Sequence, residues 1–83
     1  QNENPTLTIS ADEAYTIKTV KVSYVAEKTG VLTYNKSNIA SETVVNVNAQ
    51  SITFGVGNTS ASVTNGQVRV TAIEVVYEKN SFQ

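Results

Sequence analysis

The chain contains no cysteine, histidine, tryptophan or methionine. Without cysteine and histidine it cannot build a Ser–His–Asp or Cys–His nucleophile, or a zinc site on those ligands. The lack of cysteine also removes disulfides, and it leaves the redox compartment open, because zero is compatible with cytosol, periplasm or exterior. Tryptophan would be the best stacking platform for a sugar ring, and it is missing too. No apolar run is long enough for a membrane span or a signal peptide. Charge is sparse: six Lys and Arg stand against seven Asp and Glu, for a net −1. That balance favours neither nucleic acid nor insertion into or attraction to an anionic membrane.

What remains is rich in Val, Thr, Ser and Asn, and it alternates. Ile17–Tyr24 reads IKTVKVSY and Val70–Tyr77 reads VTAIEVVY. Each alternates apolar and polar residues with period two, as a half-buried strand does. Each also slips phase once. Tyr15 and Ile17 are odd, whereas Val20, Val22 and Tyr24 are even; Val68 and Val70 are even, whereas Ile73, Val75 and Tyr77 are odd. Such a slip implies a bulge, or a strand turning a corner between sheets. In the first segment the bulge is expected near Lys18–Thr19. The two segments are expected to lie side by side, antiparallel, at the centre of one sheet. Lys18 and Lys21 on one would then complement Glu74 and Glu78 on the other.

Shorter extended segments are predicted at Thr6–Ser10, Val31–Tyr34, Ile39–Ser41, Thr43–Val47 and Ser51–Val56. Turns fall at Ala11–Ala14, where Asp12 can cap, and at Asn35–Asn38 and Asn48–Gln50. Glu27–Gly30 reads as a four-residue hairpin ending in a glycine suited to positive φ. Gly57–Gly66 is the longest loop. No segment has helical periodicity. The expected fold is an all-β antiparallel β-sandwich, jelly-roll or immunoglobulin-like, of six to seven strands. Residues 6–78 would form the one domain, after an extended lead (1–5) held open by Pro5 and before a tail (79–83). A domain of this size buries only about 60% of its chain surface, so its stability is marginal. The start at QNENP, without an initiator methionine, suggests a processed product or an excised domain, and any export signal has already gone or lies outside.

The segment SITFGVGNTSASVTNGQVRVTAIEVVY resembles the C-terminal end of jelly-roll domains found in multidomain surface and secreted proteins of gut bacteria, chiefly Bacteroidetes and Firmicutes. Phe54, Val56 and Gly57 fit that family's F-x-V-G, and Gly66–Tyr77 fit its G-Q-[VA]-[RK]-[IV]-T-x-I-E-V-x-Y. LTISADEAYTIKTVKVSY is similar to the family's A-D-x-G-Y-x-I-x-x-V, with Ala14 where glycine is usual, and GVLTYN also fits. The resemblance runs from about Thr6 to Tyr77. It implies the fold and an extracellular setting beside enzymes or adhesins, and no catalytic residue. Family domains are often longer, so these residues could be the C-terminal part of a larger jelly roll with an open edge.

Candidate chemistry is thin. Paired carboxylates of the glycosidase kind are conceivable, but Asp12 and Glu13 adjoin in a turn and point apart. Solvated surface charge is the better reading, and no catalytic residue is assigned. No cofactor is indicated; a structural calcium ion would have to use Asp12, Glu13 and Glu42, without the D-x-[DN]-x-[DN]-G spacing. The tyrosines and Phe54 fall in phase with the apolar faces, which makes packing their default role. Tyr34 is singled out because it opens the turn Tyr34-Asn35-Lys36-Ser37-Asn38. There Tyr34, Asn35, Lys36 and Asn38 could present a ring flanked by polar groups to a glycan. Asn35-Lys36-Ser37 and Asn58-Thr59-Ser60 match the glycosylation pattern, which is expected to be inert in a bacterium.

Two functions stand. The first is a non-catalytic extracellular accessory domain that binds a glycan or cell-surface partner, or spaces other domains. The second is a structural subunit whose N-terminal arm, with Leu7 and Ile9, adds as a strand to another copy. Under the first, Leu7 and Ile9 pack in their own sandwich; under the second, they fill a neighbour's groove. An enzyme ranks below both.

Overall fold

The structure, a computed structural model, describes residues 6–60, 62 and 65–81. It is all-β: β1 (Thr6–Ser10), β2 (Tyr15–Glu27), β3 (Gly30–Tyr34), β4 (Ser37–Ile39), β5 (Val44–Ala49), β6 (Ser51–Asn58) and β7 (Gln67–Lys79). They form two antiparallel sheets, a four-stranded one ordered β1-β6-β3-β4 and a three-stranded one ordered β5-β2-β7. The expected lead, Gln1–Pro5, lies outside the described residues, as do Phe82 and Gln83 of the tail.

The two long alternating segments are β2 and β7, and they pair antiparallel along their full length. Both phase slips are bulges. Ile17 opposes Tyr77 and Thr19 opposes Val76, which leaves Lys18 as the extra residue of β2. Ser23 opposes Ala72 and Tyr24 opposes Val70, which leaves Thr71 as the extra residue of β7. Opposed residues share a face, so each bulge returns the apolar series to the interior: Ile17/Tyr77, Val20/Val75, Val22/Ile73, Tyr24/Val70. Lys21 opposes Glu74, and the two form an ion pair at 3.0 Å. The expectation of a central pair needs correction. Only β2 is central, because β5 takes its other side and β7 is left at the edge.

Two turns differ from the sequence reading, for one reason. The chain changes sheet at every connection except β3–β4. Glu27–Gly30 is therefore a crossover from β2 to β3 and not a hairpin. Its positive φ belongs to Lys28 (59°), and no glycine has positive φ. Gly30 is needed instead for close approach, since a Cβ there would run into the Gln67 backbone. Asn48 (φ 53°) likewise precedes a crossover from β5 to β6. The β3–β4 hairpin turns on Asn35 (φ 56°) and Lys36 (φ 70°), the two successive left-handed residues of a type I′ turn. Asn38 thus belongs to β4. Gly57 and Asn58 belong to β6, which shortens the predicted long loop.

The core is Ile17, Val20 and Val22 of β2, Leu32 of β3, Val45 of β5, and Ile52 and Phe54 of β6. Two polar devices tie the layers. The Tyr24 hydroxyl donates to the Ile39 carbonyl (2.5 Å) and accepts from the Leu32 N–H (3.3 Å), joining β2 to the β3–β4 hairpin. The Asn58 side chain accepts from the Thr29 hydroxyl (2.9 Å) and the Gly66 N–H (2.8 Å), joining the β2–β3 crossover to the approach to β7.

Candidate functional site

A concavity lies where the mouth of the sandwich opens between β1 and β7, and it is built from the Ala11–Ala14 turn. The Asp12 carboxylate accepts from the Ala14 N–H (3.1 Å), and the Asp12 carbonyl accepts from the Tyr15 N–H (2.9 Å). The Ala11 N–H donates to the Gln50 carbonyl (2.9 Å), which anchors the turn to the start of β6. Asn80 then clamps the end of β7 to the same turn. Its N–H donates to the Ala14 carbonyl (2.7 Å), its amide oxygen accepts from the Thr16 hydroxyl (2.6 Å), and its amide nitrogen donates to the Glu13 carbonyl (3.3 Å).

This frame sets Tyr15 against Tyr77, with ring centroids 5.3 Å apart and planes at 89°. That edge-to-face geometry suits two aromatic quadrupoles. Around them runs a groove of about 380 Å³, floored by Ile9, Ile17 and Val75 and rimmed by Ser10 and Asp12. The Lys18 bulge makes the groove, because without it Tyr15 and Ile17 would face away from Val20. Tyr77 remains 59% exposed. The site therefore offers an exposed phenol ring over an aliphatic floor, with hydroxyl and carboxylate groups at its rim. Such a surface can stack on a ligand ring and accept hydrogen bonds from its hydroxyls.

The residues singled out in the sequence are not brought here. Tyr34 is half-buried, and its ring packs on Phe54 at 5.8 Å and 52°. Tyr34 opposes Ser37 and Thr33 opposes Asn38, so Asn38 lies on the face of the hairpin opposite to Tyr34. Asn35 and Lys36 are exposed at the turn between them. The four residues share a hairpin but no common face. Leu7 and Ile9 lie on β1, pair with Phe54 and Ile52, and pack half-buried on their own core. Among the described residues, Asp12, Glu13 and Glu42 form no cluster that could hold a metal ion. Glu42 sits by β2, its N–H donating to the Val22 carbonyl (2.8 Å). No helix of the described residues is long and apolar enough to cross a membrane.

Sequence reasoning missed Tyr15, Tyr77 and Asn80 as a unit. The two tyrosines share the alternating phase of core residues, and nothing local says that β7 is an edge. Asn80 carries no signal beyond following the last strand.

Two ion pairs stand on the outer face of the three-stranded sheet, whereas the expected match of Lys18 with Glu78 is not made, because Lys18 is the bulge residue and Glu78 opposes Thr16. The Lys21 ammonium is held above its ordinary value, first by its hydrogen bond to Glu74 and then by the Glu74 charge. Arg69 pairs with Glu27 at 3.2 Å. No family model, curated protein or solved structure matches this chain.

Proposed function

We propose that this chain is a non-catalytic accessory domain of a bacterial surface or secreted protein. It binds a glycan or a similar hydroxyl-rich partner outside the cell, and its binding face is the Tyr15–Tyr77 groove rather than the Tyr34 hairpin. The observation that carries this reading is the groove itself: an exposed aromatic ring over an apolar floor, on a rigid frame of turn and Asn80 hydrogen bonds. The extracellular setting is supported by the resemblance of the strand signatures and by the His- and Cys-free, Thr- and Asn-rich composition. The packing of Leu7 and Ile9 on their own core favours this reading over strand donation by the N-terminal arm.

The test is a glycan array probed with the 83-residue chain, followed by calorimetry on any hit. Tyr77→Ala should weaken binding about tenfold or more, the loss of one good stacking contact, while Tyr34→Ala, scored only if it stays folded, should leave the affinity unchanged. Binding lost in Tyr34→Ala and kept in Tyr77→Ala would move the site back to the hairpin. Absence of any glycan binding would remove the glycan from the proposal.

A further inference from the structure

β7 is the longest edge in the molecule, thirteen residues against five in β1, three in β4 and six in β5. Long edges are kept from pairing with another chain by proline, by charged side chains, by bulges or by a cover. β7 carries charges and the Thr71 bulge, and in the register below both favour one self-pairing. β7 has no proline, and Val70, Ile73, Val76 and Tyr77 are exposed along it.

We propose that the free edge of β7 pairs antiparallel with β7 of a second copy, with the twofold axis between Thr71 and Ala72. The partner is argued from register and charge. In a regular strand adjacent residues face opposite sides, so a strand cannot pair with itself in a register that opposes odd to even positions. The Thr71 bulge lifts this bar, because it puts Val68 and Val70 on the same face as Ile73 and Val75. In the proposed register Val70 meets Ile73 of the second copy, and Val68 meets its Val75, all on the interior face. On the outer face Arg69 meets Glu74 of the second copy. Arg69 already pairs with Glu27, and Glu74 with Lys21. The dimer would therefore carry a row of alternating sign, Glu27, Arg69, then Glu74 and Lys21 of the second copy, twice by symmetry. Such complementarity both favours one register and disfavours others. The register that sets Glu74 against itself is repelled.

Ile9 of β1 overlies the Val75–Tyr77 end of β7. The two copies' β1 strands thus fall at opposite ends of the ladder and leave its centre clear. The two Tyr77 rings would stand about 35 Å apart, at about 3.3 Å per residue over about eleven positions. The contact takes in Val75, which also floors the Tyr15–Tyr77 groove, but it rests on the edge, the register and the charges of β7, and its test reads self-association and not glycan binding.

Sedimentation velocity on the 83-residue chain from micromolar to millimolar concentration tests this, with circular dichroism confirming that each variant is folded. The wild type should reach twice 8.9 kDa. Arg69→Glu places a carboxylate against Glu74 of the second copy, and Glu74→Arg places a guanidinium against its Arg69. Each alone should weaken self-association roughly tenfold or more. An equimolar mixture of the two should restore the dimer. There the carboxylate introduced by Arg69→Glu in one chain meets the guanidinium introduced by Glu74→Arg in the other, and the remaining native pair is kept. A wild type that stays monomeric at millimolar concentration overturns the proposal. So does a dimer indifferent to both charge reversals, or a mixture that behaves as its separate components.

Discussion

Single residues decide more here than their chemistry suggests. Tyr24 looks like one more alternating aromatic, yet its hydroxyl satisfies a backbone acceptor and a backbone donor at once. Tyr24→Phe keeps the ring and removes both bonds. It should cost roughly 1–3 kcal/mol, the range for leaving half-buried polar groups unpaired, read as a fall in the urea midpoint without change in slope. Lys21 makes a pH-dependent contribution of definite sign. Its folded pKa is raised by Glu74, so its contribution is complete below the ordinary lysine value of about 10.4. That contribution is lost as pH rises through the folded value. A Tm difference between the wild type and Lys21→Met should persist through neutral pH and disappear in strong alkali. A difference that grew with pH would refute the role of the ion pair.

At the scale of elements, the crossovers matter more than the ladders. β2 and β3 are joined by a tight turn that changes sheet, and Gly30 is the point where the crossover presses on the start of β7. Gly30→Ala sets a Cβ against the Gln67 backbone and should destabilise the domain by about 1–3 kcal/mol, the usual cost of overpacking. Gly57→Ala is the matched control. Its Cβ would meet only the side chains of Thr33 (3.2 Å) and Val31 (3.9 Å), which can shift, so the cost should be smaller. Equal denaturant midpoints for the two variants would show that the close approach is not a constraint. The bulges are the other decisive elements. Lys18 turns Tyr15 into the groove, and Thr71 gives β7 two halves with one apolar face.

As a whole the molecule is slender. Its radius of gyration is 14.3 Å, against about 12 Å for a compact domain of this length. Among the described residues, seven strands around a Val-rich core leave one thirteen-residue edge without a cover, and marginal stability makes any partner on that edge count. If β7 pairs with β7, the folded state is linked to concentration, and Tm should rise as the chain is concentrated from micromolar to millimolar. In the equimolar mixture of Arg69→Glu and Glu74→Arg it should rise likewise, and more than in either variant alone. A Tm independent of concentration across that range would mean that the edge is tolerated in water and left unpaired.

The sequence alone determined most of the strands, the two phase slips and the pairing of Lys21 with Glu74, but it set one short segment at Ile39–Ser41 where the strand is Ser37–Ile39. These are local or nearest-neighbour properties: alternation has period two, a bulge shifts its phase, and opposed charges fix a register. It placed the Asp12 turn by the hydrogen bond its side chain makes. It could not say which strand lies at an edge, because Val75 and Tyr77 are spelled as Val22 and Tyr24 are. Nor could it say that Glu27–Gly30 and Asn48–Gln50 cross between sheets, since a tight reversal of the chain reads alike in a hairpin and a crossover. The tertiary structure decided both by assigning strands to sheets. That assignment moved the exposed aromatic from Tyr34, which leans on Phe54, to Tyr77, which stands on the open edge.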